Sequence, residues 1–105
     1  MPSIDVVTGA VTDGPIVVGE EFQWTCSECS GNVYVIAQDM GGGLGPWFTP
    51  SGTDASFTAP GGSVTVTAKG VNIGTGWTYT ANVNTDDTRI HVDSSMPGVQ
   101  HKKAS

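Results

Sequence analysis

The sequence is poor in cations. Four Lys and Arg stand against ten Asp and Glu, and two of the four, Lys102 and Lys103, fall near the end of the 105 residues. Residues 1–100 hold all ten acids against Lys69 and Arg89 alone, a balance of −8. Such a surface cannot neutralise many phosphates, the main source of nucleic-acid affinity, so partnership with DNA, RNA or an anionic membrane is not expected. Nor does any stretch approach the roughly 20 apolar residues of a membrane span. The opening "MPSIDVVTGAVTDG" lacks the basic start and apolar run of a secretory leader, so a chain soluble as made is expected. Cysteine is limited to Cys26 and Cys29, too close in sequence to bridge distant strands. No helical periodicity is convincing, and no repeat of 20 to 50 residues points to a solenoid or propeller.

Glycine and proline, by contrast, are plentiful at 15 and 6, which demands many turns. Between them lie short alternating runs, the mark of strands whose successive side chains face opposite ways. In "SIDVVT" Ile4 and Val6 fall inward, "PIVV" is a short apolar run, and "EEFQWTC" sets Phe22, Trp24 and Cys26 on one face. "NVYVIAQD" is apolar on both faces, as for a central strand covered twice or one lying in an interface. "DASFTA" and "SVTVTAK" flank Pro60-Gly61-Gly62, whose fixed and permissive φ values predict a hairpin. "GWTYTANV" places Trp77, Tyr79, Ala81 and Val83 inward, and "TRIHV" adds Ile90 and Val92 after a turn at "NTDD". The expectation is all-β: a single antiparallel sandwich of about seven to eight strands over residues 1–93, with an extended tail over 94–105. A small barrel is the competing architecture. At this length one core would bury roughly 65% of the surface the unfolded chain exposes.

Chemistry-bearing motifs are sparse. "CSEC" is compatible with structural cysteines, reduced or locally bridged, with half of a metal site or with a redox pair. A second pair of ligands is missing for zinc, and the motif opens no helix that would lower a thiol pKa. "MGGGLGP" has the glycines of a phosphate loop but runs into Pro46-Trp47 rather than a helix, which leaves a contact loop carrying Leu44, Trp47 and Phe48. His91 alternates with Ile90 and Val92 and is expected to face solvent, like His101 in the tail. Glu20-Glu21 and Asp86-Asp87 lack calcium-loop spacing and read as solubilising charge. Trp24 and Trp77 sit in inward phase and are expected in the core, whereas Trp47, beside Phe48, is the exposed aromatic best suited to a partner.

The progression from "GEEFQWTC" through "GNVYVIA" and "SGTDASFTAPGGSVTVTAKG" to "WTYTANV" resembles bacterial and bacteriophage immunoglobulin-like domains over most of residues 15–93. The cysteine spacing departs from antibody-type domains. The resemblance implies a binding or structural module, since such domains decorate phage capsids, tails and fibres and act as spacers in bacterial surface proteins. The expected role is a non-enzymatic virion structural protein, a capsid decoration or cement protein of a tailed bacteriophage. It would be made in the host cytoplasm, lie on the capsid surface and bind the major capsid protein, with self-association on the particle and without cofactor. The expected contact residues are Ile4, Val6, Leu44, Trp47, Phe48, Met96, Val99, His101, Lys102 and Lys103. The alternative is a carbohydrate- or cell-surface-binding module of tail-fibre or adhesin type, with Trp47 as its stacking platform.

Overall fold

A computed structural model describes residues 1–36, 55–70, 72–79, 82–86, 89–93 and 101–103. The described residues contain strands and no helix: β1 (Ser3–Asp5), β2 (Val11–Thr12), β3 (Glu21–Thr25), β4 (Gly31–Ile36), β5 (Ala55–Ala59), β6 (Val64–Thr67), β7 (Trp77–Tyr79), β8 (Asn82–Asp86), β9 (Arg89–Asp93) and β10 (His101–Lys103). Two four-stranded sheets, ordered β2-β1-β3-β6 and β5-β4-β9-β8, are accompanied by a two-stranded pair of β10 and β7. A bridge between Ala10 and Thr78 docks that pair beside β2.

Alternation builds the core as the sequence predicts. Phe22 and Trp24 of β3 and Val64 of β6 join Val33 and Val35 of β4, Phe57 and Ala59 of β5 and Val92 of β9 within one continuous cluster. Sheet packs on sheet in a sandwich-like all-β fold because each sheet has one apolar face to hide. Trp24 makes edge-to-face contacts with Phe22 and Tyr79, both at 5.6 Å between ring centroids, an aromatic run from the first sheet to β7. Each such ring removes a large apolar area from water in a favoured geometry.

The sheets are mixed, not purely antiparallel. β1 runs parallel to β3, and β4 runs parallel to β9. Period-two alternation tells which face a residue takes but is blind to the direction of the neighbouring strand, so the sequence pattern is the same in either case. The predicted hairpin is also not a hairpin. β5 pairs with β4 while β6 pairs with β3, so Pro60-Gly61-Gly62 carries the chain from one sheet to the other. Gly62 N–H donates to the Thr58 carbonyl at 3.1 Å, closing a tight reversal in which a Cβ at Gly62 would collide with that oxygen. Ala59 and Val64, on either side of the turn, are both buried and plug this end of the core.

The later strands depart from the pattern as well. "GWTYTANV" is divided between β7 and β8, which belong to different sheets. Val83 therefore lies on the outer edge strand β8 and is exposed, although inward in phase. The β8–β9 ladder continues to Asp86 opposite Arg89, so three of the four residues expected in the "NTDD" turn are strand. In the tail, residues 101–103 pair antiparallel with β7.

Ile4 and Val6, expected among the contact residues, are 0% and 2% exposed. β1 is an inner strand, with Ile4 opposite Val11 on one side and Trp24 on the other, which leaves the isoleucine no access to a partner. Their inward phase is as predicted; their role is in the core.

Candidate contact surface

Beside the first sheet, the β7–β10 pair begins at a rim around Trp77. The chain reaches it through a bridge between Ile16 and Ile73, each donating its N–H to the other's carbonyl at 2.8 and 2.9 Å. Asn72 is fixed beside it, its Oδ1 accepting the Val18 N–H at 2.8 Å. A Gly-Thr-Gly turn follows, in which Trp77 N–H approaches the Gly74 carbonyl and Gly76 takes a φ of 87° that favours glycine. The indole edge then lies against Gly74, where an added Cβ would sit 3.4 Å from Trp77 Cδ1 and 3.6 Å from Nε1. Asn72, Ile73, Gly74 and Trp77 line a cleft of about 390 Å³.

Trp77 is 38% exposed, contrary to its predicted place in the core, while Tyr79, two residues on and in the same phase, is buried. The phase is right, but Trp77 is the first residue of a short strand and overhangs the end of the cluster. Val18, 43% exposed and bonded to Asn72, extends the apolar surface. The glycines on both sides of Thr75 are the signal in the sequence that could have found Trp77: a large aromatic straight after such a turn starts a strand at its rim. β10 runs along the other side of this edge, with His101, Lys102 and Lys103 opposite Tyr79, Thr78 and Trp77. Three expected contact residues are thus brought to the same edge as the exposed indole. Leu44, Trp47, Phe48, Met96 and Val99 lie outside the described residues.

A second, polar cleft of about 320 Å³ lies beside β3, lined by Gln23, Thr25, Cys26, Ser27, Gly61, Gly62 and Ser63. Cys26 and Cys29 form a local disulfide with Cα atoms 5.6 Å apart, the bridged form among the readings of "CSEC". Asp5 clamps the bridged loop. Its Oδ1 accepts N–H groups of Val7 at 2.9 Å and Thr8 at 3.1 Å, and its Oδ2 accepts the Ser27 N–H at 3.0 Å and hydroxyl at 2.8 Å. Partial burial alone would raise the Asp5 pKa, but the hydrogen bonds from Ser27, Thr8 and Val7 favour the charged form and leave it lowered. A carboxylate so held is a weak base, and the Ser27 hydroxyl donates to it directly rather than to an imidazole.

On the outer face of the second sheet, Tyr34 of β4 stacks on His91 of β9 at 5.6 Å, and the Arg89 guanidinium lies 4.8 Å from the Tyr34 ring centroid. His91 does point outward as its alternation predicts, but its Nε2 is shielded from water and has no hydrogen-bond partner among the described residues. Tyr34 and Ile36 are only half-buried there, so the outer side of the doubly apolar strand is partly covered. Among the described residues no group of three or more His, Cys, Asp or Glu gathers where an ion could be held.

The arrangement therefore offers surfaces for contact: an aromatic rim beside a basic strand, a neutral polar cleft and an aromatic-cationic ladder. Comparisons of the chain with protein-family models, with curated proteins and with solved structures find no match to any of them.

Proposed function

We propose that the protein is a non-enzymatic structural protein of the virion of a tailed bacteriophage, a decoration or cement protein that binds the major capsid protein through an immunoglobulin-like sandwich. The observation that carries this reading is the convergence of a half-exposed Trp77 and the C-terminal strand β10 in one two-stranded pair beside the first sheet. Exposed aromatics anchor interfaces, and an extended strand at a sheet edge offers backbone groups for pairing. The sandwich would sit on the shell and bury the Trp77 rim, with the residues of the tail, between neighbouring capsid subunits. Binding the assembled lattice more tightly than free subunits stabilises the shell by mass action. The test is binding of the purified protein to capsids that lack it. Full-length protein should saturate the particles, and truncation after Asp93 should reduce occupancy; equal occupancy by both would refute a contact made through the tail.

The Trp77 cleft favours one second reading, a carbohydrate-binding module, because an indole face beside an amide side chain suits a sugar ring with apolar and polar edges. On that reading Trp77→Ala abolishes retention on a glycan array while leaving the fold intact. An unchanged glycan profile in the variant would remove the basis for it.

A further inference from the structure

Asp13-Gly14 is the sole Asp-Gly or Asn-Gly step in the sequence. It lies in the bend that carries the chain from β2 to the Ile16–Ile73 bridge. Asp13 is exposed and takes a φ of 63°, the only positive φ of a non-glycine residue among those described. Asp tolerates this left-handed region better than most residues because its short side chain leaves room. A Cβ built on Gly14 would meet nothing within 4 Å, so the peptide between the two residues stands in open space. Among the described residues, the Asp13 carboxylate accepts no hydrogen bond and the Gly14 N–H donates none.

Other acidic and amide side chains are held differently. Asp5 accepts four hydrogen bonds, and the N–H that follows it, on Val6, donates to the Thr25 carbonyl at 2.8 Å. Asn72 accepts the Val18 N–H, and the following Ile73 N–H donates to the Ile16 carbonyl at 2.9 Å. In both cases the next nitrogen is occupied and crowded by a β-branched side chain. At Asp13 neither restraint is present.

We propose that Asp13-Gly14 is a modification site at which the folded protein converts spontaneously to isoaspartate. The Gly14 main-chain nitrogen attacks Asp13 Cγ of the carboxylic acid form. The new N–Cγ bond forms as a Cγ–O bond breaks, and that oxygen leaves as water with the acid proton and the amide proton. Water then opens the five-membered succinimide by breaking the bond between the Gly14 nitrogen and the Asp13 main-chain carbonyl carbon. The chain now runs through Cγ, with a free carboxylate on the old main-chain carbon. One water leaves and one enters, so mass is unchanged and no oxidant or reductant is consumed. Ring closure between neighbours is intramolecular and needs only freedom to bring the nitrogen onto Cγ, which an open glycine supplies. The product adds one backbone carbon between Val11 and Ile16, both buried, and so lengthens the link to the bridge beside the Trp77 cleft.

The test incubates the full-length protein in warm, neutral buffer over weeks, with tryptophan fluorescence confirming that it stays folded. Digestion and electron-transfer fragmentation then distinguish isoaspartyl from aspartyl linkages at each position. Isoaspartate should accumulate at position 13, at a rate within several-fold of that in a synthetic peptide spanning residues 11–16, while Asp5 and Asn72 remain unconverted. Asp13→Asn should convert many-fold faster, losing ammonia through the same ring. Asp13→Glu, which would need a six-membered ring, should not convert. An intact position 13 in the folded protein while the peptide converts would overturn the proposal. Conversion of Asp5 as fast as Asp13 would also overturn it, because the reaction would then run through unfolded chains.

Discussion

Replacing Asp5 tests how the N-terminal strand and the disulfide loop are locked together. The side chain accepts four hydrogen bonds, two from its own turn at Val7 and Thr8 and two from Ser27 inside the bridged loop. Bonds to a charged group contribute about 1.5–3 kcal/mol each when sheltered. Asp5 is only half-buried, so each is discounted for solvent screening, and Asp5→Ala is expected to cost about 2–3 kcal/mol in all. Asp5→Asn separates the halves. Its amide oxygen can still serve Val7 and Thr8, but its NH₂ group meets the Ser27 N–H as donor against donor, so about 1 kcal/mol should be lost. The sign of the pH effect follows from the lowered folded pKa. The contribution is fully present above the ordinary carboxyl value of 3.8 and disappears as pH falls through the folded value. Wild type should therefore approach the Asp5→Asn variant in stability in strong acid. Urea unfolding followed by tryptophan fluorescence, from neutral pH into strong acid, measures all three proteins. Equal stability of wild type and Asp5→Asn at neutral pH, or a gap that widens on acidification, would refute the reasoning.

Other perturbations probe other parts of the fold. Gly9 has a φ of 73° and contacts the Tyr79 backbone so closely that a Cβ would strike its carbonyl oxygen. Gly9→Ala is thus expected to destabilise by about 2–4 kcal/mol in a thermal melt, joining left-handed strain to a backbone clash. Removing the disulfide with Cys26→Ser and Cys29→Ser should cost about 2 kcal/mol for so small a loop. Because Ser27 lies inside that loop, the loss should be less than additive with Asp5→Ala, which a double-mutant cycle in urea reads directly. Trp77→Ala should change stability by less than about 1 kcal/mol, whereas Phe22→Ala should cost about 3–5 kcal/mol; comparable losses would mean that Trp77 belongs to the core.

What the sequence shows clearly is which face each residue takes. Phe22, Trp24, Val33, Val35, Phe57, Ala59, Val64 and Val92 all fall on the buried side that alternation assigns them. Partner and direction are not encoded at that level. The Ala-Pro-Gly-Gly link has the composition of a hairpin turn, yet its two flanking strands pair with neighbours in opposite sheets. The parallel partner of β4, β9, arrives from more than 50 residues away, beyond the reach of any local rule. Phase also fails at the ends and edges of strands: Trp77 and Val83 have the inward phase but lie past the end of the core or on its outermost strand. For the contact surface, the tail cations were legible as a charge anomaly, while their place beside Trp77 required the long-range pairing of β10 with β7.

Membership of a virion is tested most directly by quantitative mass spectrometry of purified particles from a lysate in which the chain is expressed. The chain should co-purify with the particles at one copy per one to several major capsid subunits. A few copies per particle would place it on the tail or fibres and contradict decoration, and its absence from the particles would contradict the virion reading altogether.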